Sequence, residues 1–472
     1  MSNLFSKLRI FIGPVLFVIV LQLPLDIAAN QQKFLAIFIW VICGWILTSL
    51  PLFITGIFGV SASVIMGIID AKTAFGPFGN PIIFLFMGGF FLAKAMERIG
   101  LDKKISLFIL NLKIIHGHPR RTIMAIYLLT ATFSMWVSNT ATTAMMLPIV
   151  LGSLKNMGIS DKARESKILI GMGYAATIGG LGTPIGSPPN MLALGFLATL
   201  ANINFVFLSW FLIAFPITVV MLIFLYFNFI HSMDLKDVAK IQKNSIIKSG
   251  PLSKNEKIVI SLFFTVVVLW FLPGFVEMFL GSDHIISTEF KRRLPAGVVS
   301  IFFSSLLFTL PLKGEKILGP ENALKIDWAS LLLFGSGLSL GAILFSTGLA
   351  NTIADGVLKN ISGDYFKYTL IVVVISTIYI TEVISNTASA NILIPIIIVS
   401  CQEAGINPLA PVLAVAMACN LAFMLPVSTP PNAIVFGSRL VKMKDMIRAG
   451  FIMNIFSALI LSGVYLLLLK LF

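Results

Sequence analysis

Two short stretches of this 472-residue chain decide its architecture: Ser138-Asn139-Thr140-Ala141 and Ser385-Asn386-Thr387-Ala388, which lie 247 residues apart. Each is followed by a proline at the same distance, Pro148 in the first case and Pro395 in the second. Two further pairs of blocks match in the same order: Leu85–Gly89 with Leu333–Gly337, and Thr183–Asn190 with Leu425–Asn432. Three ordered matches at nearly constant spacing indicate that the chain contains one structural unit twice.

The composition indicates that most of this chain is solvated by lipid. Hydrophobic residues make up 57% of the sequence and charged residues only 11%, which is too little polar surface for a soluble domain of this size. Apolar stretches of about 20 residues, long enough to span a bilayer as helices, recur from Ile10 onward. The sequence therefore predicts an all-α polytopic membrane protein whose first partner is the lipid bilayer.

The distribution of basic residues predicts the orientation of the chain. A net charge of +14 on a soluble protein would suggest nucleic acid as a partner, but here 26 of the 34 lysines and arginines fall in loops on the side of the N-terminus. The sequence thus predicts a protein of the inner (plasma) membrane. By the positive-inside rule its N-terminus is cytoplasmic and its C-terminus lies outside. The basic residues are explained by topology, so no nucleic-acid partner is predicted. The same charges place the entry of the first repeat inside and that of the second outside, so the repeats are predicted to be inverted.

The first motif lies in a segment that is too short to cross the membrane twice. Thr122–Leu154 has 33 residues without a charge, whereas two crossings and a turn need roughly 40 or more. A re-entrant helical hairpin that turns near the midplane is expected, with Ser138-Asn139-Thr140 at its tip. The second repeat should form the same hairpin from Tyr368 to about Ser400.

The segment after each hairpin is predicted to be a broken helix. Thr183–Asn190 and Leu425–Asn432 each contain three prolines, which remove backbone donors and interrupt a helix. The connectors before the hairpins contain both charged and apolar positions, which suggests interfacial helices that lie along the membrane. The predicted organisation is: scaffold helices at 1–93, a cytoplasmic interfacial helix at 94–121, a transport-domain hairpin and broken helix at 122–200, scaffold helices at 201–345 with a cytoplasmic loop at 231–257, an outer interfacial helix at 346–367, a second transport-domain hairpin and broken helix at 368–440, and a last transmembrane helix at 441–472.

Polar side chains at the tips and breaks predict a site for a small anion. Helix N-termini that converge near the midplane present free N–H groups and a partial positive charge. Two equivalent half-sites suit a ligand with two carboxylates, and two asparagines can serve both a carboxylate and a cation. The candidate side chains are the hydroxyls of Ser138, Thr140, Ser187, Ser385, Thr387 and Thr429 and the amides of Asn139 and Asn386.

A dianion in this site would have no lysine or arginine as counter-ion. The segments Thr122–Leu154, Ile168–Met233 and Tyr368–Ser438 contain neither residue type. A bound cation is therefore a reasonable partner, and hydroxyl, amide and carbonyl oxygens favour sodium over a transition metal. Glu382, three residues before Ser385, has two open interpretations: a hydrogen bond to the backbone of its own hairpin, or a role in handling substrate or protons.

The paired Ser-Asn-Thr tips and the run Leu425-Pro426-Val427-Ser428-Thr429-Pro430-Pro431-Asn432 resemble the divalent anion/sodium symporter family, and the resemblance covers nearly the whole chain. It implies eleven membrane helices plus two re-entrant hairpins, a homodimer and an elevator motion of the transport domain. Members of the family carry succinate, malate, fumarate, citrate or sulfate. One branch exchanges dicarboxylates without sodium.

The resemblance also implies individual ligands. Ser428 and Asn420 depart from the family pattern, which usually has Ala and Ser at these positions; the first departure bears on the second sodium site and the second on local helix packing. The implied sodium ligands are Ser134, Ser138, Asn139 and the backbone of Gly186 at one site, and Thr381, Asn386 and the backbone of Ile384 and Ser428 at the other. The implied substrate contacts are Asn139, Thr140, Ser187, Asn386, Thr387 and Thr429.

These observations predict a secondary transporter that moves C4 dicarboxylates (succinate, malate, fumarate) with sodium ions. A sodium-independent dicarboxylate exchanger and a citrate or sulfate carrier remain as alternatives on the same fold. A membrane-embedded enzyme would need an intramembrane cluster of His, Asp or Cys, and only Glu382 is available, so no enzyme is expected. A channel is disfavoured because proline-broken helices in inverted copies imply an occluded site with alternating access.

Overall fold

A computed structural model of the chain describes residues 2–47, 50–115, 117–235, 250–312, 315–358 and 363–471. The prediction of an all-helical fold is confirmed, with one two-residue strand pair, β1 (Pro311–Leu312) and β2 (Glu315–Lys316), as the exception within these ranges. The helices are α1 (Ser2–Gln22), α2 (Ala29–Leu47), α3 (Leu52–Ile65), α4 (Ala71–Phe75), α5 (Pro81–Arg98), α6 (Leu101–Leu110), α7 (Pro119–Ser134), α8 (Asn139–Asn156), α9 (Lys162–Gly179), α10 (Pro188–Leu200), α11 (Phe207–Leu225), α12 (Lys254–Leu280), α13 (Ile285–Arg293), α14 (Ala296–Ser305), α15 (Pro320–Ala323), α16 (Trp328–Ser346), α17 (Leu349–Leu358), α18 (Gly363–Ile380), α19 (Asn386–Glu403), α20 (Leu409–Asn420), α21 (Pro430–Gly437) and α22 (Met443–Leu471).

Several helices have the length and composition of membrane spans. In the described part of the chain five pass that test, and a sixth span results if the α4 segment and α5, which meet at 40°, are counted as one. Other apolar helices, such as α3 and α20, are shorter than a full crossing. The multi-pass character of the chain is therefore clear, and the count of eleven crossings stays a prediction.

Each repeat contains a helical hairpin followed by an interrupted helix. The first hairpin is α7 and α8 with its turn at residues 135–138, and the second is α18 and α19 with its turn at 381–385. Arms of 16 to 18 residues have lengths of about 24 to 27 Å, somewhat less than the hydrocarbon thickness. The two Ser-Asn-Thr motifs thus lie where the chain reverses direction.

The interrupted helices break earlier than the prolines suggested. The breaks run over residues 180–187 and 421–429, whereas the expected ones were Thr183–Asn190 and Leu425–Asn432. Pro188 and Pro430 each begin the following half-helix. Proline fits the first turn of a helix because its missing N–H would have no partner there. The adjacent prolines therefore start the second halves of the broken helices.

The connectors form a short helix in each repeat after a left-handed glycine. Gly100 (φ +65°) separates α5 from α6, and Gly348 (φ +75°) separates α16 from α17. These two glycines are 248 residues apart, so the same reversal of direction is encoded twice. The predicted interfacial segment 94–121 is therefore divided, with its first residues ending α5. Of the predicted outer helix 346–367 and loop 231–257, residues 359–362 and 236–249 lie outside the described ranges.

The first halves of the broken helices lie at the centre of the molecule. Every residue from Ile168 to Gly179 in α9 and every residue of α20 is buried. Helices that are apolar on all sides are stable only when other helices surround them. The hairpins and the second halves α10 and α21 pack around this centre, which brings the two breaks and the two tips together.

Candidate substrate and ion site

The two tips and the two breaks enclose one cavity of about 540 Å³. Its volume lies in the range of small-molecule binding pockets. Among the described residues that line it, Asp327 is the one with an ionisable side chain. All eight side chains that the sequence predicts as substrate contacts line this cavity: Ser138, Asn139, Thr140, Ser187, Ser385, Asn386, Thr387 and Thr429.

Four helices begin at the wall of the cavity. The residues that precede their first turns are Ser138, Ser187, Ser385 and Thr429, and all four line the cavity. A helix N-terminus carries free N–H groups and about half a positive charge, so the wall attracts anions without any lysine or arginine. The arrangement can therefore bind the negative groups of a small ligand.

Beside the first tip, three oxygen atoms from separate segments approach each other. The Ser134 hydroxyl at the end of α7 lies 2.6 Å from Oδ1 of Asn139 and 2.7 Å from the carbonyl oxygen of Ala176. Ala176 belongs to the last turn of α9, where the helix dipole is negative. Ser134 is fully buried, so this cluster is shielded from the lipid.

The second tip repeats the cluster with different residues. The hydroxyl of Thr381, just after α18, lies 2.7 Å from Oδ1 of Asn386 and 2.9 Å from the carbonyl oxygen of Cys419. Cys419 belongs to the last turn of α20, as Ala176 belongs to that of α9. Thr381 is also fully buried.

In each cluster one hydroxyl group lies within hydrogen-bond distance of two acceptor oxygens. A hydroxyl has a single O–H, so it can donate to the amide oxygen or to the carbonyl oxygen, but not to both at once. The other close contact then joins two oxygen acceptors without a hydrogen between them. Three hard oxygens in this arrangement are suited to hold a small hard cation.

The remaining predicted ion ligands belong to the same tips and breaks, where they make other contacts. Gly186 packs on the first break so closely that a side-chain carbon there would come within 2.6 Å of the Gly180 carbonyl oxygen. Ser138 accepts a hydrogen bond from the Ala141 N–H and caps α8. In the second half, the Ser428 hydroxyl donates to the Leu425 carbonyl (2.6 Å), and Ile384 lies in the turn of the tip.

Two asparagines that sequence reasoning did not assign shape the breaks. The Asn190 amide donates to the carbonyl oxygens of Gly180 and Thr183, at 2.8 Å each. The Asn432 amide donates to the carbonyl of Leu425 (3.1 Å) and reaches that of Ala422 (3.4 Å). Both asparagines are the last residues of the matched Pro-Pro-Asn blocks. Their repetition could therefore have predicted a role for them in the breaks.

Asn420, one of the two departures from the family pattern, joins the two broken helices. Its Nδ2 donates to Oδ1 of Asn190 (2.7 Å) and to the Ala416 carbonyl (2.9 Å), and its Oδ1 accepts from the Ser187 hydroxyl. The longer asparagine side chain thus connects the second broken helix to the first. Ser187 keeps its place in the cavity wall with its hydroxyl proton directed to Asn420.

Glu382 braces the second break. Its Oε1 accepts hydrogen bonds from the N–H groups of Phe423 (2.6 Å) and Met424 (2.8 Å) and from the Asn454 amide (2.7 Å), and its Oε2 accepts from the Leu425 N–H (3.1 Å). Of the two interpretations left open by the sequence, the structure fits a structural one, but the partner backbone is that of the broken helix and not of its own hairpin. Glu382 as a whole is only 4% exposed.

A second cavity adjoins the first. It measures about 500 Å³, lies between α5, α6 and α8, and shares Phe90, Ser138 and Asp327 with the wall of the binding cavity. Its other ionisable side chains are Lys94, Glu97, Asp102 and Lys325. We refer to it as the vestibule, because it borders the binding cavity and contains several ionisable side chains.

Comparison with known sequences decides the family. The model of the sodium:sulfate symporter transmembrane region matches residues 2–470, almost the entire chain. This chain belongs to the divalent anion/sodium symporter family. It is 32% identical to the sodium-dependent dicarboxylate transporter SdcS of Staphylococcus saprophyticus, over 97% of this chain and 90% of the relative. It is 33% identical to SdcS of Staphylococcus aureus strain USA300, over 96% of this chain and 89% of the relative.

The fold of this member of the divalent anion/sodium symporter family also has a counterpart among solved structures. The YdaH transporter of Alcanivorax borkumensis, described as having an unusual topology, superposes with a TM-score of 0.53 over 85% of this chain and 88% of that protein. Sequence identity is 13%, so the similarity concerns the fold alone. Family membership places the chain among membrane transporters and not among enzymes.

Proposed function

We propose that this protein carries C4 dicarboxylates, such as succinate, malate and fumarate, across the plasma membrane together with sodium ions. The dicarboxylate lies in the cavity between the tips, with its carboxylates against the N-termini of α8, α10, α19 and α21. Sodium ions lie in the two oxygen clusters behind the tips. The names of the staphylococcal relatives support both the ion and the substrate class.

The observation that carries this proposal is the pair of matched oxygen clusters on either side of one cavity. Ser134, Asn139 and Ala176 in the first half correspond to Thr381, Asn386 and Cys419 in the second. Asn139 and Asn386 also line the cavity, so each contributes to a cluster and to the substrate wall. A cation in the cluster therefore fixes an asparagine that faces the anion, which couples the two binding events.

Bound sodium ions would also lower the desolvation cost of the two substrate carboxylates. Two carboxylates in a cavity without cationic side chains are costly to desolvate, and helix dipoles supply only part of the compensation. Cations bound in the adjacent clusters offset that cost. The resemblance to the family adds Ser138, Gly186, Ile384 and Ser428 as further ligands that would complete the coordination of the two ions.

The resemblance to the family extends the proposal to mechanism. The hairpins and broken helices move as a transport domain against a scaffold in a homodimer, with the N-terminus in the cytoplasm and the C-terminus outside. Lys94, in the last part of α5, and Lys325 both line the vestibule. Because the positive-inside rule places both segments on the cytoplasmic side, we infer that this conformation opens inward.

The decisive experiment is uptake of radiolabelled succinate into proteoliposomes that contain the purified protein. Four conditions are compared: with and without an inward sodium gradient, each with and without dicarboxylate inside. Uptake that requires sodium and no internal dicarboxylate supports symport. Uptake that requires internal dicarboxylate and ignores sodium would identify an exchanger, and competition by unlabelled citrate or sulfate tests the alternative substrates.

A further inference from the structure

One charged side chain lies where the binding cavity meets the vestibule. Asp327 lines both cavities, and the other two residues that they share, Phe90 and Ser138, are uncharged. A solute that moves between the vestibule and the tips therefore passes this carboxylate. A carboxylate at the entrance of the proposed anion site would repel the anion, so a role in substrate recognition alone does not account for it.

The local structural role of Asp327 is to cap a helix. Its Oδ1 accepts a hydrogen bond from the Ser330 N–H (3.0 Å) and its Oδ2 accepts from the Ser330 hydroxyl (2.5 Å), which starts α16. Asp70 caps α4 in the same way through the N–H of Thr73 (3.0 Å) and its hydroxyl (2.6 Å). Capping of this kind uses an acceptor oxygen and works equally well with asparagine.

The first repeat shows that capping here does not need a charge. Asn80 caps α5, the counterpart of α16, by accepting a hydrogen bond from the Ile82 N–H at 3.0 Å. The negative charge of Asp327 is therefore an additional property of the second repeat. It occurs at the cap that borders the binding cavity.

The charges around Asp327 leave its field only partly compensated. In the vestibule Lys94 pairs with Glu97 (2.9 Å), and burial is the main factor that raises the pKa of Asp102. Within the described ranges Asp327 itself forms no ion pair, although Lys325 lies two residues away in the vestibule wall. Cavity walls of low dielectric focus the field of such a charge.

We propose that Asp327 is a charge gate that attracts cations into the binding cavity and repels a dianion that arrives without them. This inference rests on the proposed function, because it assigns the carboxylate a role in coupling dicarboxylate to sodium. The repulsion reduces entry of bare substrate into the inward-facing cavity, and with it transport that is not accompanied by ions. Cations in the oxygen clusters offset only part of this repulsion, so the carboxylate still weakens succinate binding when sodium is saturating.

The test is equilibrium binding of radiolabelled succinate to the detergent-solubilised protein, with Asp327→Asn compared with wild type. Sodium chloride replaces choline chloride at constant ionic strength, so that general screening stays fixed. Asparagine keeps the cap and removes the charge. Asp70→Asn is the matched control, since it makes the same substitution in the same kind of cap away from both cavities.

We expect the two half-saturation concentrations to move in opposite directions in Asp327→Asn. The half-saturation concentration of sodium should rise about two- to fivefold. The half-saturation concentration of succinate, measured at saturating sodium, should fall about two- to fivefold. Effects of this size are typical for one exposed charge. Asp70→Asn and Asp327→Glu should resemble wild type. Damage to the fold would instead weaken both ligands together.

Any result in which the two constants fail to move in opposite directions overturns the charge gate. The same holds if Asp327→Glu behaves like Asp327→Asn, because the effect would then come from cap geometry. Wild-type protein that binds no succinate in a sodium-dependent way would show that the proposed function itself has failed. The wild-type measurement alone thus separates the two failures.

Discussion

The two halves of the site reach the same arrangement of oxygens with different supports. In the second half, Glu382 follows the cluster hydroxyl of Thr381 and holds three consecutive backbone N–H groups of the break. The equivalent position in the first half is Met135, which has no charge. There the break is held to the tip by the Thr183 hydroxyl, which donates to the Met135 carbonyl.

The tips differ as well. Trp136 of the first tip stacks nearly parallel to Trp270 of α12 and to Phe207 of α11, with ring centroids 6.4 Å apart in both pairs. Val383, its equivalent in the second tip, is 71% exposed. The first tip is thus docked on neighbouring helices, whereas the second is anchored from behind through Glu382. The comparison shows that the two repeats share the arrangement of three oxygen atoms, whereas the contacts that support each tip differ.

The largest expected effect concerns the brace of the second break. Glu382→Ala would leave one buried and two part-buried N–H groups and the buried Asn454 amide without their acceptor, at a cost of about 1 kcal/mol each and roughly 4 kcal/mol in total. Met135→Leu conserves volume and should cost less than about 1.5 kcal/mol. Thermal unfolding in detergent should show a large fall in the midpoint for the first variant and a small one for the second. Similar midpoints for both would mean that Glu382 does not support the break.

Replacement of the tip asparagine should reduce succinate uptake equally in the two halves. Asn139→Ala and Asn386→Ala each remove an oxygen from a cluster and an amide from the cavity wall, so uptake of succinate should fall about 10- to 100-fold in either variant. Gel filtration and thermal unfolding check that both proteins remain folded. Retained transport in both variants would contradict the site, and loss in only one would mean that the halves are not equivalent.

Substitutions at the two tips should differ in their effect on the free energy of unfolding. Trp136→Ala removes the aromatic contacts with α11 and α12 and should cost about 2 kcal/mol, because Trp136 is only half-buried. Val383→Ala lies on an exposed surface and should change the free energy of unfolding by less than about 0.5 kcal/mol. Thermal unfolding of both variants measures the difference. Equal losses would show that the second tip is docked as firmly as the first.

The smallest effect concerns the cluster hydroxyls. Ser134→Ala and Thr381→Ala each remove one oxygen ligand, and the sodium concentration for half-maximal uptake should rise about five- to tenfold, corresponding to roughly 1 kcal/mol. Thr381→Ser keeps the hydroxyl and should stay near wild type. Sodium titrations of uptake measure these shifts. An unchanged sodium dependence in both alanine variants would place the ions elsewhere.

Much of the site was predictable because it repeats. The Ser-Asn-Thr and Pro-Pro-Asn blocks identified the tips, the breaks and the side chains that line the cavity, since a motif that occurs twice in order seldom has only a local role. Chain length added the hairpins, because a segment of 33 uncharged residues is too short for two crossings. The positions of Ala176, Cys419, Asn190 and Asn432 were missed. Two of these contribute carbonyl oxygens, which every residue has, and so leave no mark in the sequence.

The sequence by itself determined the repeat, the helical class and the polar residue types that line the cavity. These follow from composition, segment length and spacing, which are properties of the chain. Only the tertiary structure decided which break Glu382 braces and that Asn420 joins the two broken helices. It also placed Asp327 at the passage between the two cavities. These contacts link residues up to 233 positions apart, and such partners are chosen by how helices pack, which no local pattern specifies.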